Sequence, residues 1–435
     1  MNYDLVIIGA GWAGFNAALK ARALGLKVAV VEKSLLGGTC LNRGCIPTKA
    51  LIQSAKTYSL ISKKSSILGI NSIAVEFDFL KIQQRKDKVV QQLRQGMQFM
   101  LKGVDYINST AEIITSSQIK TDKGLLDTKY LLVATGSRPV EIPALAFDGN
   151  KVLSSDDILS LPALPKSLLI VGGGVIGCEF ACLFSALGSS VTIVEKMPQI
   201  LPQEDRDIVK KFESSLRKKS IKVLVETDAT SLNLNEYEKV LVCVGRLGVT
   251  SVLGLDKIGV KLDNNKIVTD EYLRTNVDNV FAAGDCTGGV MLAHFAAYQG
   301  EVAAENIAAG ASVKKADNKT IPNCIFTDPE IASIGLNQQD AESRNINVEV
   351  FKFDFMGSGM ARILDETEGF IKLVADKNSG VLLGASVIGA RATELIGILS
   401  LAVENQMTIS EIRNTIFAHP SMSEVIAEAV KVREK

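Results

Sequence analysis

The feature that most constrains this chain is an internal repeat of an apolar strand, a glycine-rich turn and a helix. The stretch from Tyr3 to Ile8 leads into GAGWAG, and the stretch from Ser167 to Val171 leads into GGGVIG. The two segments match without a gap at an offset of 163 residues, and they continue into LGLKVAVVEK and LGSSVTIVEK. Each copy therefore predicts a parallel strand, a tight turn, a helix and a second strand.

Both turns contain three glycines at the same spacing, namely Gly9, Gly11 and Gly14 in the first and Gly172, Gly174 and Gly177 in the second. The first glycine makes the turn, the second lets the backbone approach a pyrophosphate, and the third allows close packing of helix on strand. Glu32 and Glu195, each 21 residues after the middle glycine, can accept a hydrogen bond from a ribose hydroxyl. A single motif fits a plain strand–turn–helix, but two copies predict two bound dinucleotides.

Further segments predict that the first nucleotide-binding domain is split. The strand from Tyr130 to Val133 ends at Thr135 and Gly136, and the strand from Val277 to Ala283 ends at Gly284 and Asp285. Because these segments flank the second repeat, we assign the first domain to residues 1–140 and 268–319, with the second domain, 141–267, inserted. Alternating strands followed by helices predict a third, α+β domain over residues 320–435. The predicted fold class is α/β, with two Rossmann-like domains and a C-terminal α+β domain.

Composition excludes several classes of protein. Lys plus Arg equals Asp plus Glu at 48 each, which argues against nucleic-acid or anionic-membrane partners. No stretch approaches the ~20 apolar residues of a membrane helix. Seven cysteines are an odd number and too few for a secreted disulfide scaffold. The N-terminal sequence contains no signal-peptide pattern, so the expected location is the cytoplasm.

The string GGTCLNRGCIPTKA, residues 37–50, carries reactive side chains directly after the first repeat. Cys40 and Cys45 lie five residues apart, and a helix beginning near Cys45, together with Lys49, would stabilise a thiolate there. The pair could be half of a zinc site, but no second CxxC-type pair or spaced histidines accompany it. It could also be two buried structural thiols, or a redox-active disulfide beside a dinucleotide. The spacing favours the disulfide but does not by itself exclude the other two alternatives. Because the further ligands of a zinc site are missing, we predict no metal site.

The whole string resembles the signature of the class I pyridine nucleotide–disulfide oxidoreductases, and within that family most closely the members that act on lipoamide. The resemblance covers the full chain. Residues 134–137 (ATGS) and the segments VFAAGD and MLAH resemble the flavin motifs, TDPEIASIG and TEGFIKLVAD resemble the dimerisation domain, and HPSMSE, residues 419–424, resembles the catalytic motif. It implies FAD in the first site, NAD in the second, and a homodimer whose active sites are shared between subunits.

The resemblance also implies roles for individual residues. Cys40 is the interchange thiol, Cys45 the flavin-facing thiol, and His419, oriented by Glu424, the base contributed by the other subunit. Lys49 and Glu179 match an ion pair beside the flavin. The residues assigned to FAD are Gly9, Gly11, Gly14, Glu32, Lys33, Gly38, Thr39, Lys49, Ala111, Thr135, Gly136, Asp285 and Ala293. The residues assigned to NAD are Gly172, Gly174, Val175, Ile176, Gly177, Glu195, Ala229, Gly245 and Arg246.

Several positions bear on the substrate. Mercuric reductases carry a C-terminal cysteine pair, whereas no cysteine follows Cys324 here. Glutathione-type enzymes have a tyrosine gate and an arginine at the positions that Val175 and Leu19 occupy in this chain. The expected activity is oxidation of dihydrolipoamide, on a lipoyl-bearing protein of a 2-oxoacid dehydrogenase or glycine cleavage complex, with NAD. The alternatives are reduction of another small disulfide, and a flavoprotein that serves as a redox sensor or a structural subunit. Trp12 stands where the family usually has a small residue or proline, so it is either a residue that narrows the substrate channel or a packing residue at the start of the helix.

Overall fold

Each glycine turn leads from a parallel strand directly into a helix. The computed structural model describes residues 2–71, 74–251, 253–316 and 320–434. In residues 2–139 the strands and helices are β1 (Asn2–Ile8), α1 (Trp12–Ala23), β2 (Val28–Glu32), α2 (Gly38–Arg43), α3 (Cys45–Ser59), α4 (Phe79–Met100), β3 (Asp105–Asn108), β4 (Ala111–Thr115), β5 (Gln118–Thr121), β6 (Gly124–Val133) and β7 (Ser137–Pro139). A short π-helix, Leu60–Lys64, continues α3.

Residues 152–242 form the second unit. Its elements are β8 (Val152–Leu153), β9 (Ser167–Val171), α5 (Val175–Ala186), β10 (Ser190–Val194), α6 (Arg206–Lys218), β11 (Lys222–Leu224) and β12 (Lys239–Val242). The chain continues through β13 (Arg246–Gly248), β14 (Leu262–Asp263) and β15 (Lys266–Ile267), and the buried side chains of this segment, Leu253, Leu255, Val260 and Ile267, pack in the core of the first unit. The parallel sheet of the second unit has the order β11-β10-β9-β12-β8. β13 leaves this sheet and pairs antiparallel with β7. This small ribbon connects the second unit to the first.

The chain then returns to the first unit through β16 (Val280–Ala282) and α7 (Ala293–Ala309). The first sheet has the order β3-β2-β1-β6-β5-β4, and β16 lies parallel to β6, with Val280 paired to Leu131. The first sheet therefore contains a strand that follows the whole second unit in sequence, which is the arrangement that a split first domain requires. The domain bounds stay a prediction, and the bounds at residues 1, 319 and 435 lie outside the described residues.

The remaining elements form an antiparallel sheet with helices. They are β17 (Asn323–Ile325), β18 (Ile331–Gly335), α8 (Gln338–Ser343), β19 (Val348–Asp354), α9 (Gly359–Ile363), β20 (Phe370–Asp376), β21 (Leu382–Ile388), α10 (Ala392–Glu404), α11 (Ile409–Asn414) and α12 (Glu424–Ala429). The sheet order is β17-β18-β21-β20-β19. This part is the α+β unit that the sequence predicts.

The three parts share a hydrophobic core. One buried cluster joins Leu51 of α3, Phe184 of α5 and Ile331 of β18. The central strands β1 and β9 are almost entirely buried, as expected for parallel strands covered on both faces. Packing of this kind fixes the cysteine-bearing helix α3 against both of the other units. No helix among the described residues is long and apolar enough to cross a membrane.

Candidate active site

Two glutamates tie the glycine turns to the ends of their strands. The Glu32 carboxylate accepts the backbone N–H of Ala10 at 2.8 Å through Oε2 and that of Ser34 at 2.8 Å through Oε1. Glu195 makes the same pair of contacts 163 residues further on, at 2.7 and 2.8 Å. Each carboxylate is thereby held beside its turn and keeps unused lone pairs. The remaining lone pairs leave both glutamates able to accept a hydrogen bond from a ribose hydroxyl, and that role stays a prediction.

Neither turn has room for side chains at its first and third glycines. Gly9 has φ +104°, and a Cβ there would lie 2.3 Å from the carbonyl oxygen of Ala134. A Cβ on Gly14 would lie 1.9 Å from the oxygen of Gly9, and the corresponding glycines of the second turn are equally crowded. No side chain caps the helices that begin after Gly11 and Gly174. Their first N–H groups are therefore available to an anion such as a pyrophosphate.

A cleft of about 2700 Å³ begins at the first glycine turn, and it is much larger than an ordinary small-molecule pocket of ~300–1,000 Å³. It extends past α2 and α3 to the start of α7 and to one face of α10. Twelve of the thirteen residues assigned to FAD line it: Gly9, Gly11, Glu32, Lys33, Gly38, Thr39, Lys49, Ala111, Thr135, Gly136, Asp285 and Ala293. Gly14 packs beneath the turn. An elongated dinucleotide such as FAD fits this set of residues.

The residues assigned to NAD are more dispersed. Val175 and Ile176, at the start of α5, line the same cleft. Arg246 also lines it, but its guanidinium donates to Ser137, at 2.8 Å to the hydroxyl and 2.9 Å to the carbonyl oxygen. Ser137 also bonds to Asp285. The structure therefore places Arg246 with the FAD-assigned residues, and its contact with NAD stays a prediction.

The other NAD-assigned residues, Gly172, Gly174, Gly177, Glu195, Ala229 and Gly245, are not among the described residues that line the large cleft. Three of them form the second glycine turn, to which Glu195 is hydrogen bonded. Ala229 is buried in a short 3-10 helix, and Gly245 follows β12 with φ +125°. These positions surround the carboxyl ends of the second parallel sheet, where an open α/β sheet binds its ligand.

The two cysteines lie on consecutive helices in the wall of the large cleft. Cys40 belongs to α2, Cys45 is the first residue of α3, and both are free thiols. Hydrogen bonding from Cys40 is the main cause that lowers the pKa of Cys45 to about 7, and the charge of Lys49 adds to it. The same interaction, with burial, raises the pKa of Cys40 far above that of a free thiol. As pH rises, the Cys45 thiol therefore ionises first and Cys40 keeps its proton.

A buried ion pair supplies the positive charge near Cys45. The Lys49 ammonium lies 2.7 Å from both carboxylate oxygens of Glu179, a residue that is only 3% exposed. Phe326 completes the arrangement, because its backbone N–H donates to Glu179 at 2.9 Å and its ring lies 4.7 Å from the ammonium. A paired and hydrogen-bonded charge can stay ionised when buried. Phe326 has no signal in the sequence, since it meets the other two residues only through the fold.

His419 and Glu424 form a second pair, in the third domain. The Nδ1 atom of His419 lies 2.8 Å from Glu424 Oε1, and the N–H of Ser421 donates to Glu424 Oε2 at 2.9 Å. Both contacts lower the pKa of Glu424, and the hydrogen bond from the Ser421 N–H has the larger effect. The carboxylate thus fixes the imidazole through Nδ1 and leaves Nε2 available. The His419 side chain is 81% exposed, and neither residue lines the cleft that holds the cysteines.

The third domain also exposes large apolar side chains. Ile416, three residues before His419, is 97% exposed, and Leu401 of α10 is 66% exposed. Exposed apolar surface of this kind is typical of a protein–protein contact. On the same helix, Ile396 and Gly397 line the cysteine cleft. A second subunit that covered the apolar surface would therefore also lie beside this cleft.

Comparison with known proteins gives two family matches that together cover nearly the whole chain. The family described as pyridine nucleotide-disulphide oxidoreductase matches residues 3–300. The dimerisation domain of the pyridine nucleotide-disulphide oxidoreductases matches residues 321–430. The second match covers the domain that carries His419 and the exposed apolar side chains.

Curated relatives share more than a third of the sequence. The dihydrolipoyl dehydrogenase of Geobacillus stearothermophilus is 39% identical, over 99% of this chain and 96% of the relative. The dihydrolipoyl dehydrogenase of Chlamydia pneumoniae is 38% identical, over 98% and 96%. Among solved structures, LpdA from Mycobacterium tuberculosis superposes with a TM-score of 0.90 at 29% identity, covering 98% of both chains. The HOCl-induced flavoprotein disulfide reductase RclA from Escherichia coli gives 0.87 at 29% identity, covering 99% of both.

Proposed function

The chain belongs to the pyridine nucleotide-disulphide oxidoreductase family, and from this we propose that it oxidises dihydrolipoyl groups with NAD. It is an FAD-dependent, NAD-linked dithiol–disulfide oxidoreductase, and its dimerisation domain supports a homodimer. The observation that carries the proposal is the placement of Cys40 and Cys45 in the wall of a cleft of dinucleotide size, with the ion pair of Lys49 and Glu179 beside them. A lipoyl-bearing protein is the proposed partner, and the cytoplasmic location stays a prediction.

The cysteines exchange disulfide bonds with the substrate. One thiolate of the dithiol attacks Cys40 in the Cys40–Cys45 disulfide, so that a mixed disulfide forms and Cys45 leaves as a thiolate. The second substrate thiolate then attacks the substrate sulfur of the mixed disulfide. The oxidised cyclic disulfide departs, and Cys40 leaves with the electron pair and takes up a proton. Lys49 and the start of α3 stabilise the Cys45 thiolate throughout.

The proton from the substrate dithiol needs an acceptor. We assign this role to His419, whose orientation Glu424 fixes through Nδ1 and whose Nε2 is left available as the acceptor. Because His419 is exposed and lies away from the cysteine cleft of its own chain, we assign it to the cleft of the partner subunit. Bound FAD would accept the electron pair from Cys45 and deliver a hydride to NAD.

The proposed nucleotide preference follows from Glu195. Its carboxylate lies beside the second glycine turn, where it would accept the 2′-hydroxyl of NAD and repel the 2′-phosphate of NADP. We expect NAD to be preferred by roughly a hundredfold in kcat/KM, since opposing like charges costs several kcal/mol. Glu195→Arg should reverse part of this preference, as measured by steady-state kinetics with both nucleotides.

Lys196 provides a matched control for this prediction. Its exposed ammonium lies 3.7 Å from Asp228, on the surface next to Glu195. Lys196→Ala should therefore leave the ratio of NAD to NADP activity nearly unchanged. Equal or better activity of the native protein with NADP would overturn the assignment of Glu195.

The substrate is tested by comparing two directions of turnover. With NAD as the acceptor, the protein should oxidise dihydrolipoamide, and then the dihydrolipoyl group of a lipoyl-bearing protein domain. Both reactions should be much faster than the NADH-dependent reduction of a panel of other small disulfides. The competing function is reduction of another low-molecular-weight disulfide, and the fold similarity to the disulfide reductase RclA favours it. NADH-dependent reduction of a different disulfide with a higher kcat/KM than lipoamide would select that alternative.

A further inference from the structure

Trp12 is the only tryptophan of the chain and the first residue of α1. It lines the same cleft as Cys40 and Cys45. Its position at the helix start follows directly from the glycine turn, because Gly11 is the residue that precedes the helix. A large aromatic side chain therefore lies at the junction between the dinucleotide turn and the redox-active pair.

The indole nitrogen of Trp12 is an isolated donor. Nε1 is fully buried, and it has no hydrogen-bond partner of good geometry among the described residues. The start of α1 also packs directly on the start of α2, the helix that carries Cys40, because a Cβ on Gly11 would lie 3.8 Å from the Cα of Gly38. Cys40 is the neighbour that this donor affects. The interaction with Trp12 lowers the pKa of the Cys40 thiol, whereas Cys45 and burial raise it by more. A buried donor without a partner is unfavourable, so it favours any state that supplies an acceptor.

We propose that Trp12 is a positioning residue for the interchange thiol, and that its indole N–H hydrogen-bonds the Cys40 sulfur whenever that sulfur carries negative charge. The inference rests on the proposed function, in which Cys40 exchanges with the substrate and leaves the mixed disulfide as an anion. The developing charge then gives the isolated N–H its acceptor. A hydrogen bond to a charged atom is stronger than one to a neutral thiol, so the interaction strengthens when the sulfur departs.

Other groups around Cys40 act differently. Cys45 raises the pKa of Cys40, and the charge of Lys49 lowers it. Lys49 is shared with the buried carboxylate of Glu179, and it also stabilises the thiolate of Cys45. A second cation near Cys40 would therefore stabilise both sulfurs together. The neutral indole adds a donor to Cys40 and leaves the net charge unchanged, so it can stabilise the Cys40 sulfur without a further cation beside Cys45.

The single tryptophan makes a direct test possible. Protein labelled with ¹⁵N at the indole of tryptophan should give one indole N–H resonance, which reports on Trp12 alone. In the FAD-bound Cys45→Ser variant, this resonance should move downfield as pH rises. The rate at which iodoacetamide alkylates Cys40, followed by peptide mass spectrometry, should rise with the same midpoint pH. In the Cys40→Ser variant the downfield movement should be lost. An indole resonance that ignores the titration of Cys40 would overturn the proposal.

A substitution gives the second measurement. In the Cys45→Ser background, Trp12→Phe keeps an aromatic ring but removes the donor, and it should raise the midpoint of Cys40 alkylation by about one pH unit. Trp12→His, which restores an N–H, should recover part of the shift. An unchanged midpoint in FAD-bound Trp12→Phe would contradict the role. These results can be told apart from a failure of the proposed function. If the Trp12 resonance follows the titration of Cys40 but the protein does not oxidise dihydrolipoamide, only the proposed substrate is refuted.

Discussion

Replacing Cys45 by serine should reduce turnover with dihydrolipoamide and NAD on the order of a thousandfold or more, as expected when a reacting nucleophile is removed. In the native protein, two-electron reduction should produce a long-wavelength absorbance, because a thiolate at Cys45 would contact oxidised flavin. The same substitution should abolish this absorbance. FAD content and far-ultraviolet circular dichroism, measured on the purified variant, would establish that the fold and the cofactor are retained.

The matched variant at the other sulfur should behave in the opposite way. Cys40→Ser should also lose turnover, but it leaves the Cys45 thiolate in place, so the long-wavelength absorbance should be present before any reductant is added. If both variants lose the absorbance, or both keep it, the roles assigned to the two sulfurs are wrong. NADH-dependent reduction of an artificial dye, which does not need the disulfide, should continue in both.

The pH dependence of this absorbance follows from the pKa of Cys45. Because that pKa is lowered to about 7, the thiolate and its absorbance should be present above this pH and should disappear as pH falls below it. Hydrogen bonding from Cys40 is the main cause of the lowering, so Cys40→Ala should move the midpoint upward. Cys40→Ser keeps a hydroxyl donor and should move it less. A midpoint that is the same in the native protein and in Cys40→Ala would exclude this hydrogen bond as the cause.

The features that the sequence predicts well are those that a short segment carries by itself. A turn without room for a Cβ demands Gly9 and Gly14, and the strand that follows delivers Glu32 back to the turn. Repetition 163 residues later predicts the second unit in the same way. The position of Cys45 is likewise local, because Gly44 directly before it ends α2 and precedes the first residue of α3.

Contacts between distant segments could not be predicted. Phe326 meets the ion pair of Lys49 and Glu179 from a third part of the chain, and no periodicity or motif relates the three residues. The resemblance assigns Arg246 to NAD, and only the fold shows that the ribbon of β7 and β13 also places its guanidinium on Ser137. The isolated N–H of Trp12 also depends on packing, because the sequence shows the residue but not the burial of its nitrogen.

His419 represents a different limit, because one chain does not contain the whole site. The resemblance at residues 419–424 predicts a base for the cysteines, and the structure supplies its orientation by Glu424. Within the chain, however, the exposed imidazole lies outside the cleft lined by Cys40 and Cys45. Only a second subunit could complete the site under the proposed mechanism, and this requirement can be tested directly.

A hybrid dimer should restore activity that both of its parents lack. The parents are a Cys45→Ser homodimer and a His419→Ala homodimer, each expected to be nearly inactive because each defect is present in both of its sites. If the base comes from the partner, pairing one subunit of each kind gives one site with both defects and one site with neither. The isolated hybrid should therefore have about half of the native activity, by the two-fold symmetry of the dimer.

Co-expression with two different affinity tags and sequential purification would isolate the hybrid for assay with dihydrolipoamide and NAD. Glu424→Gln in place of His419→Ala should also be complemented, because the carboxylate acts through the imidazole of its own chain. A hybrid of Cys45→Ser with Cys40→Ala provides the control, since both defects lie in the same domain and each site of that dimer retains one of them. That control should stay inactive. A His419 hybrid as inactive as its parents would show that the base acts within its own chain or has no part in the reaction.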